Sequence, residues 1–179
     1  MEHTRNRTIS RCYLEITNIC NLNCKFCPKT KRTKGSLSQN EFDLLTDRLK
    51  GHIQFLYFHL MGEPFLHPLL PHFIATAREK GFVPVITTNG TLLKNAGEIL
   101  LAHPHKIQIS LHSHEGNGKE NPEEYILHIM QYAKRAAEQG TIVVLRLWNQ
   151  GGLDSANEHL IRLMEEYVPK PWTERYDGW

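Results

Sequence analysis

The chain has 179 residues, 40% of them apolar and 9% aromatic, enough for one domain with a real core. The formal charge of +2 is mild and, with the basic residues dispersed, argues neither for nor against nucleic acid; no DNA partner is expected. No stretch is apolar over the length a bilayer requires, and the polar N-terminus up to Ile9 lacks a signal-peptide run, which points to a cytoplasmic, reducing setting and no membrane partner.

A polar tail (1–10) leads into a first strand-like run, 12–17. Glu15 is a carboxylate inside that run, placed to meet a ligand, an arginine or water. A loop follows with Cys20, Cys24 and Cys27 in the spacing C-x₃-C-x₂-C. Thiolates this close serve best as ligands to one metal centre. A cubane iron–sulfur cluster needs four ligands and this loop supplies three, which leaves one iron open to a small molecule. A structural zinc site completed by a histidine is the competing reading. Only Cys12 lies outside the motif, so a disulfide framework is not expected, and Cys12 itself reads as a small core residue. The basic run 29–34 is either a solvated loop or a contact for an acidic substrate or redox partner.

Ser38 and Glu41 form a capping-box signal ahead of Phe42, Leu45 and Leu49 on one helical face. The second strand, 53–60, runs into Met61-Gly62-Glu63-Pro64. Leu70, Phe73, Ile74 and Ala77 mark a second helix that Gly81 closes. Strand 83–88 ends in Thr87-Thr88-Asn89-Gly90, and Leu92, Ala96, Ile99 and Leu100 mark a third helix. Strand 106–111 ends in Ser110, His112 and Ser113. The glycine-containing loop 115–118 lacks the strand–turn–helix context of a phosphate cradle. Asn121-Pro122 opens a fourth helix through Ile126, Ile129, Met130, Ala133 and Ala137 to Gly140. Strand 142–148 carries Arg146 within an apolar run and ends at Trp148-Asn149. A cation there needs an anionic partner, for which Glu15 is one candidate. Ser155 and Glu158 open a fifth helix.

Five strand–helix units in alternation predict an α/β fold with a parallel sheet and right-handed crossovers. Periodicity leaves open a doubly wound sheet or part of a (β/α) barrel, and five units are too few to close an eight-stranded barrel. In either case the chemistry collects at the carboxyl ends of the strands. The cysteines, Gly62–Pro64, Thr87–Gly90, Ser110–Ser113 and Arg146–Asn149 all fall there. His59 and His112 lie on strands two and four, either as core histidines or lining the cavity.

These residues together resemble the radical S-adenosylmethionine (radical SAM) enzymes. Cys20, Cys24 and Cys27, the aromatic Phe26 before the last cysteine, and Gly62-Glu63-Pro64 on strand two carry the resemblance, which spans roughly 11–149. It implies a partial (β/α)₆ TIM-like barrel over 11–168 and a [4Fe–4S] cluster on the three cysteines. SAM would chelate the fourth iron and be cleaved reductively to a 5′-deoxyadenosyl radical, which abstracts hydrogen from a peptide or small-molecule substrate. An enzyme of oxidoreductase or transferase type is therefore expected. The resemblance also implies that Gly62 and Glu63 contact the methionine amino group. Thr88 or Asn89, Ser110 and Arg146 would hold the carboxylate or ribose, Phe26 would lie near adenine, and Asn149 would serve as a ribose contact. A flavodoxin- or ferredoxin-type protein would donate the electron. The flanks of Cys27 and Gly62 are similar to the SPASM/twitch branch, whose extra cluster would need further cysteines. None follows Cys27, and the expected sixth strand is missing. On that resemblance 169–179 reads as the start of an absent extension, a truncated chain whose fifth strand is left as an exposed edge.

Overall fold

A computed structural model describes residues 10–113, 122–147, 155–168 and 172–173. Five strands, β1 (Arg11–Tyr13), β2 (Phe55–Tyr57), β3 (Val83–Thr88), β4 (Lys106–Ser110) and β5 (Ile142–Arg146), form one all-parallel sheet. Its order is β1-β2-β3-β4-β5. A doubly wound sheet reverses direction at a switch point. This order climbs without reversal, as successive units around a barrel wall do. The α/β partial-barrel expectation is met.

Five helices connect and follow the strands: α1 (Gln39–Leu49), α2 (Leu70–Glu79), α3 (Gly97–Leu101), α4 (Pro122–Glu138) and α5 (Ser155–Tyr167). Among the described residues no helix is long and apolar enough to cross a membrane. The capping box forms as expected: the Ser38 side chain accepts from the Glu41 N–H and the Glu41 carboxylate accepts from the Ser38 N–H. Gly81 and Gly140 adopt φ of 89° and 81° after α2 and α4, the left-handed turn that glycine takes without a Cβ clash.

Alternation sorts the sheet into two faces. Leu56 and Phe58, Ile86, Ile107 and Ile109 are fully buried, in one core with Phe42, Phe73 and Ile74 of the helices. Val143 and Leu145 pack against it. The opposite, inner face carries Tyr57, Lys106, Gln108, Ser110, Val144 and Arg146.

Several expectations need correction. Four of the five strands are shorter than their apolar runs, because pairing stops where the chain bends into site loops; β3 alone keeps its full 83–88 span. The third helix is split into a 3₁₀ turn (Leu93–Asn95) and the five residues of α3, at Ala96 (φ −99°, ψ 28°) beside the poor helix former Gly97. Glu15 pairs with Arg32 and not with Arg146. Cys12 is half-buried, although it does pack against the core. The Asn121 cap and the loop 115–118 lie outside the described residues.

Candidate functional site

The three cysteines sit on the loop leaving β1, and groups from other strand ends pin that loop. The Glu63 N–H donates to the Ile19 carbonyl (2.8 Å), tying the loop to the end of β2. Asn21 Nδ2 donates to Thr91 Oγ1 (2.8 Å), and Asn89 Nδ2 donates to Asn21 Oδ1 (2.9 Å), tying it to the end of β3. Downstream, Asn18 holds the return of the loop: its amide donates to the Thr33 carbonyl (2.9 Å) and its Oδ1 accepts from the Gly35 N–H (2.8 Å). Glu15 closes the same side, bound to Arg32 and accepting from the Met61 N–H (2.8 Å).

None of the four cysteines forms a disulfide. Cys24 is buried, and Cys20 and Cys27 are half-buried. The Cys27 N–H donates to the Cys24 carbonyl (3.2 Å), a tight turn that keeps the last two cysteines together. Cys20 Sγ accepts from the Leu22 N–H (3.5 Å) and from Asn89 Nδ2 (3.9 Å). Burial raises the Cys20 thiol pKa above its ordinary value, and the Glu63 and Cys24 charges push the same way, against these two hydrogen bonds. Among the described residues no three His, Cys, Asp or Glu side chains converge as ligands of one metal ion would. A cubane spreads three thiolates over three separate irons, so it asks for a wider arrangement than a single zinc. The donor set of three thiols on one loop, with hydrogen bonds aimed at a sulfur, fits the cluster.

Glu63 is only 2% exposed. Its Oε1 accepts from Thr88 Oγ1 (2.8 Å) and the Phe65 N–H (3.0 Å), and its Oε2 from the Asn89 N–H (2.7 Å). Burial pushes its carboxyl up to about 7, against these three bonds. Gly62 packs so closely on the segment that follows β1 that a Cβ there would stand 2.1 Å from the Thr17 carbonyl oxygen. The side chain of Asn89 is fully engaged: besides its bonds to Asn21 and Cys20, its Oδ1 accepts from the Thr91 N–H (3.0 Å) and Thr91 Oγ1 (2.7 Å). The Asn89 carbonyl accepts from the Tyr125 hydroxyl of α4 (2.6 Å). Gly62, Glu63, Thr88 and Asn89 are thus brought together, as an interlock between strand ends. Asn21, Thr91 and Tyr125 complete it, and sequence reasoning missed all three; their spacing carries no signal, since each acts through a contact distant in the chain.

Phe26 is 42% exposed, with its ring edge-on to His112 at 5.0 Å. Ser110 and Arg146 are register partners across β4 and β5. Arg146 is exposed, and its charge acts on His59 and His112. Asn149 lies outside the described residues.

A family model described as "Radical SAM superfamily" matches residues 14–160. The chain is 38% identical over 85 residues to the tungsten-containing aldehyde ferredoxin oxidoreductase cofactor-modifying protein of Pyrococcus furiosus, covering 45% of this chain and 24% of that protein. It is 38% identical over 81 residues to the Fe-coproporphyrin III synthase of Methanosarcina barkeri, covering 44% of this chain and 20% of that one. The fold is similar to that of Streptococcus suis SuiB bound to S-adenosylmethionine, with a TM-score of 0.64 at 17% identity, over 88% of this chain and 38% of SuiB. The chain spans about a quarter or less of the length of these two curated relatives.

Proposed function

The chain belongs to the radical SAM superfamily, and on that premise we propose that it binds a [4Fe–4S] cluster through Cys20, Cys24 and Cys27, with SAM beside it. The observation that carries this reading is the loop of three thiols outside any disulfide, pinned to the ends of β2 and β3 by Glu63, Asn89 and Thr91. When bound and reduced, the cluster supplies the electron that cleaves SAM to methionine and a 5′-deoxyadenosyl radical.

The chain's own groups do the holding. The buried carboxylate of Glu63 fixes Asn89, and Asn89 in turn directs its amide at Cys20. With those side chains engaged, the methionine end of SAM is left to the half-buried Gly62 and Ser110, and adenine to the neighbourhood of Phe26. The cations Lys29, Lys31 and Lys34 are exposed beside the cysteine loop and suit an acidic flavodoxin- or ferredoxin-type donor. Four free thiols fit a reducing, cytoplasmic compartment. One named relative is described as cofactor-modifying and the other as a synthase of Fe-coproporphyrin III, which favours a small-molecule substrate over a peptide.

Anaerobic reconstitution tests the reading. The chain should turn brown with about four irons per chain, bind SAM, and release 5′-deoxyadenosine with dithionite. Cys24→Ala should lose the iron, because two thiolates do not hold a cubane. A colourless zinc protein, or a Cys24→Ala variant with full iron, would overturn it.

A further inference from the structure

Tyr13, Tyr57 and His59 take no part in the interlock, yet they form a cluster of their own. Tyr13 and Tyr57 are register partners across β1 and β2, and their rings stack with centroids 4.7 Å apart. His59 meets both rings at steep angles, at 5.5 and 5.9 Å. Leu56 and Phe58, which alternate with them, turn into the helix-side core. The cluster therefore stands on the inner face, below the strand ends that hold the cysteine loop. Tyr13 is 54% exposed, so its ring offers surface beyond what Tyr57 covers.

Two further observations indicate what this face would receive. The Nδ1 of His59 is buried with no hydrogen-bond partner among the described residues. A buried polar atom in that position costs stability until something pairs with it. The inner face is also cationic. Lys106 and Arg146 alternate with Ile107 and Leu145, which face the core, and among the described residues neither cation forms an ion pair. The nearby carboxylate, Glu15, is already taken by Arg32 and the Met61 N–H. Burial and the Arg146 charge hold His59 down at about 4, so it is neutral near pH 7 and does not compete for an anion.

Resting on the SAM-binding reading above, we propose that Tyr13, Tyr57, His59 and Arg146 form the substrate subsite, and that the substrate is a planar aromatic or heteroaromatic compound bearing an acidic group. The ring stacks on the open surface of Tyr13, as flat π-systems prefer offset contact with tyrosine. Arg146 takes the acidic group with its planar fork of donors. His59 pairs a polar edge of the ring through Nδ1, and Lys106 adds to the local positive field. This places Arg146 on the substrate and not on the SAM carboxylate.

Three probes test this on the anaerobically reconstituted protein, by equilibrium dialysis with and without SAM: 2-naphthoate, its neutral analogue 2-naphthamide, and the non-planar cyclohexanecarboxylate. The expected result is that 2-naphthoate binds at least tenfold more tightly than either comparator, and that SAM does not weaken it. Arg146→Gln should erase the preference over the amide. Tyr13→Leu, which keeps apolar bulk without a flat ring, should erase the preference over cyclohexanecarboxylate. Both sites are exposed, and circular dichroism confirms that the variants are folded. Equal affinities for the three probes, or preferences that survive both substitutions, overturn the proposal. Displacement of SAM by 2-naphthoate also overturns it, by returning Arg146 to the SAM carboxylate while leaving the radical SAM reading intact. That reading fails by a separate result, the absence of iron or SAM binding.

Discussion

Gly62 and Glu63 are neighbours with different tasks. The glycine lets the segment after β2 approach the segment after β1, where any side chain would drive its Cβ onto the Thr17 carbonyl at 2.1 Å. Gly62→Ala should destabilise the fold by about 3 kcal/mol, the upper end of the overpacking range, read as a lowered thermal midpoint. Glu63 faces three donors from inside the protein. Its folded pKa of about 7 lies above the ordinary value of 4.5. The folded state thus keeps a proton that the unfolded chain has lost, and stability should fall as pH rises from about 4.5 to about 7, then level off. Urea titrations across that range should show the slope in the wild type and lack it in Glu63→Gln. The Gly62–Pro64 motif was legible as a site feature in the sequence, but the donors that hold Glu63 were not. Glu63 reads on paper as a partner for an ammonium group; its donors in the fold come from Phe65 two residues on and from Thr88 and Asn89, 25 and 26 residues along. The same distance in chain hid Asn21, Thr91 and Tyr125.

At the scale of elements the sequence is more transparent, because local signals decide them. The capping box of α1 needs only Ser38 and Glu41, three residues apart, and both halves form. Ser38→Ala should cost about 1 kcal/mol in chemical unfolding and leave iron content unchanged, since the cap lies on the helix side of the loop. The glycines after α2 and α4 end their helices as their positions foretell. Strand lengths were less readable: an apolar run shows which residues are buried, whereas a strand ends where its neighbour stops offering hydrogen bonds. The 12–17 run contains the strand Arg11–Tyr13 only in part, and its remainder, from Leu14 on, turns to hold the site. The third helix failed as a single element because its apolar spacing continues through Ala96, where the backbone leaves helical geometry.

Across the whole molecule, the strand order settles what periodicity left open between an open sheet and a barrel wall. It also ranks the strands. β3 and β4 have neighbours on both sides, and their Ile86, Ile107 and Ile109 are fully buried; β1 and β5 pair on one side only among the described residues. Amide hydrogen exchange should therefore be slowest in β3 and β4 and faster by orders of magnitude in β1 and β5; uniform protection across the sheet would contradict this ranking. The cysteine loop belongs to the better-anchored part through its partners, although it leaves from an edge. Its bonds to Asn89, Thr91 and Glu63 join protein to protein. On the proposed cluster reading these bonds would hold the backbone path beside the metal, unlike a zinc finger that collapses when its ion is taken away. Oxygen treatment of the reconstituted protein should therefore leave its circular dichroism unchanged, and iron and sulfide should restore the colour without refolding, so that damage to the cofactor would be a repairable event and not the loss of the chain.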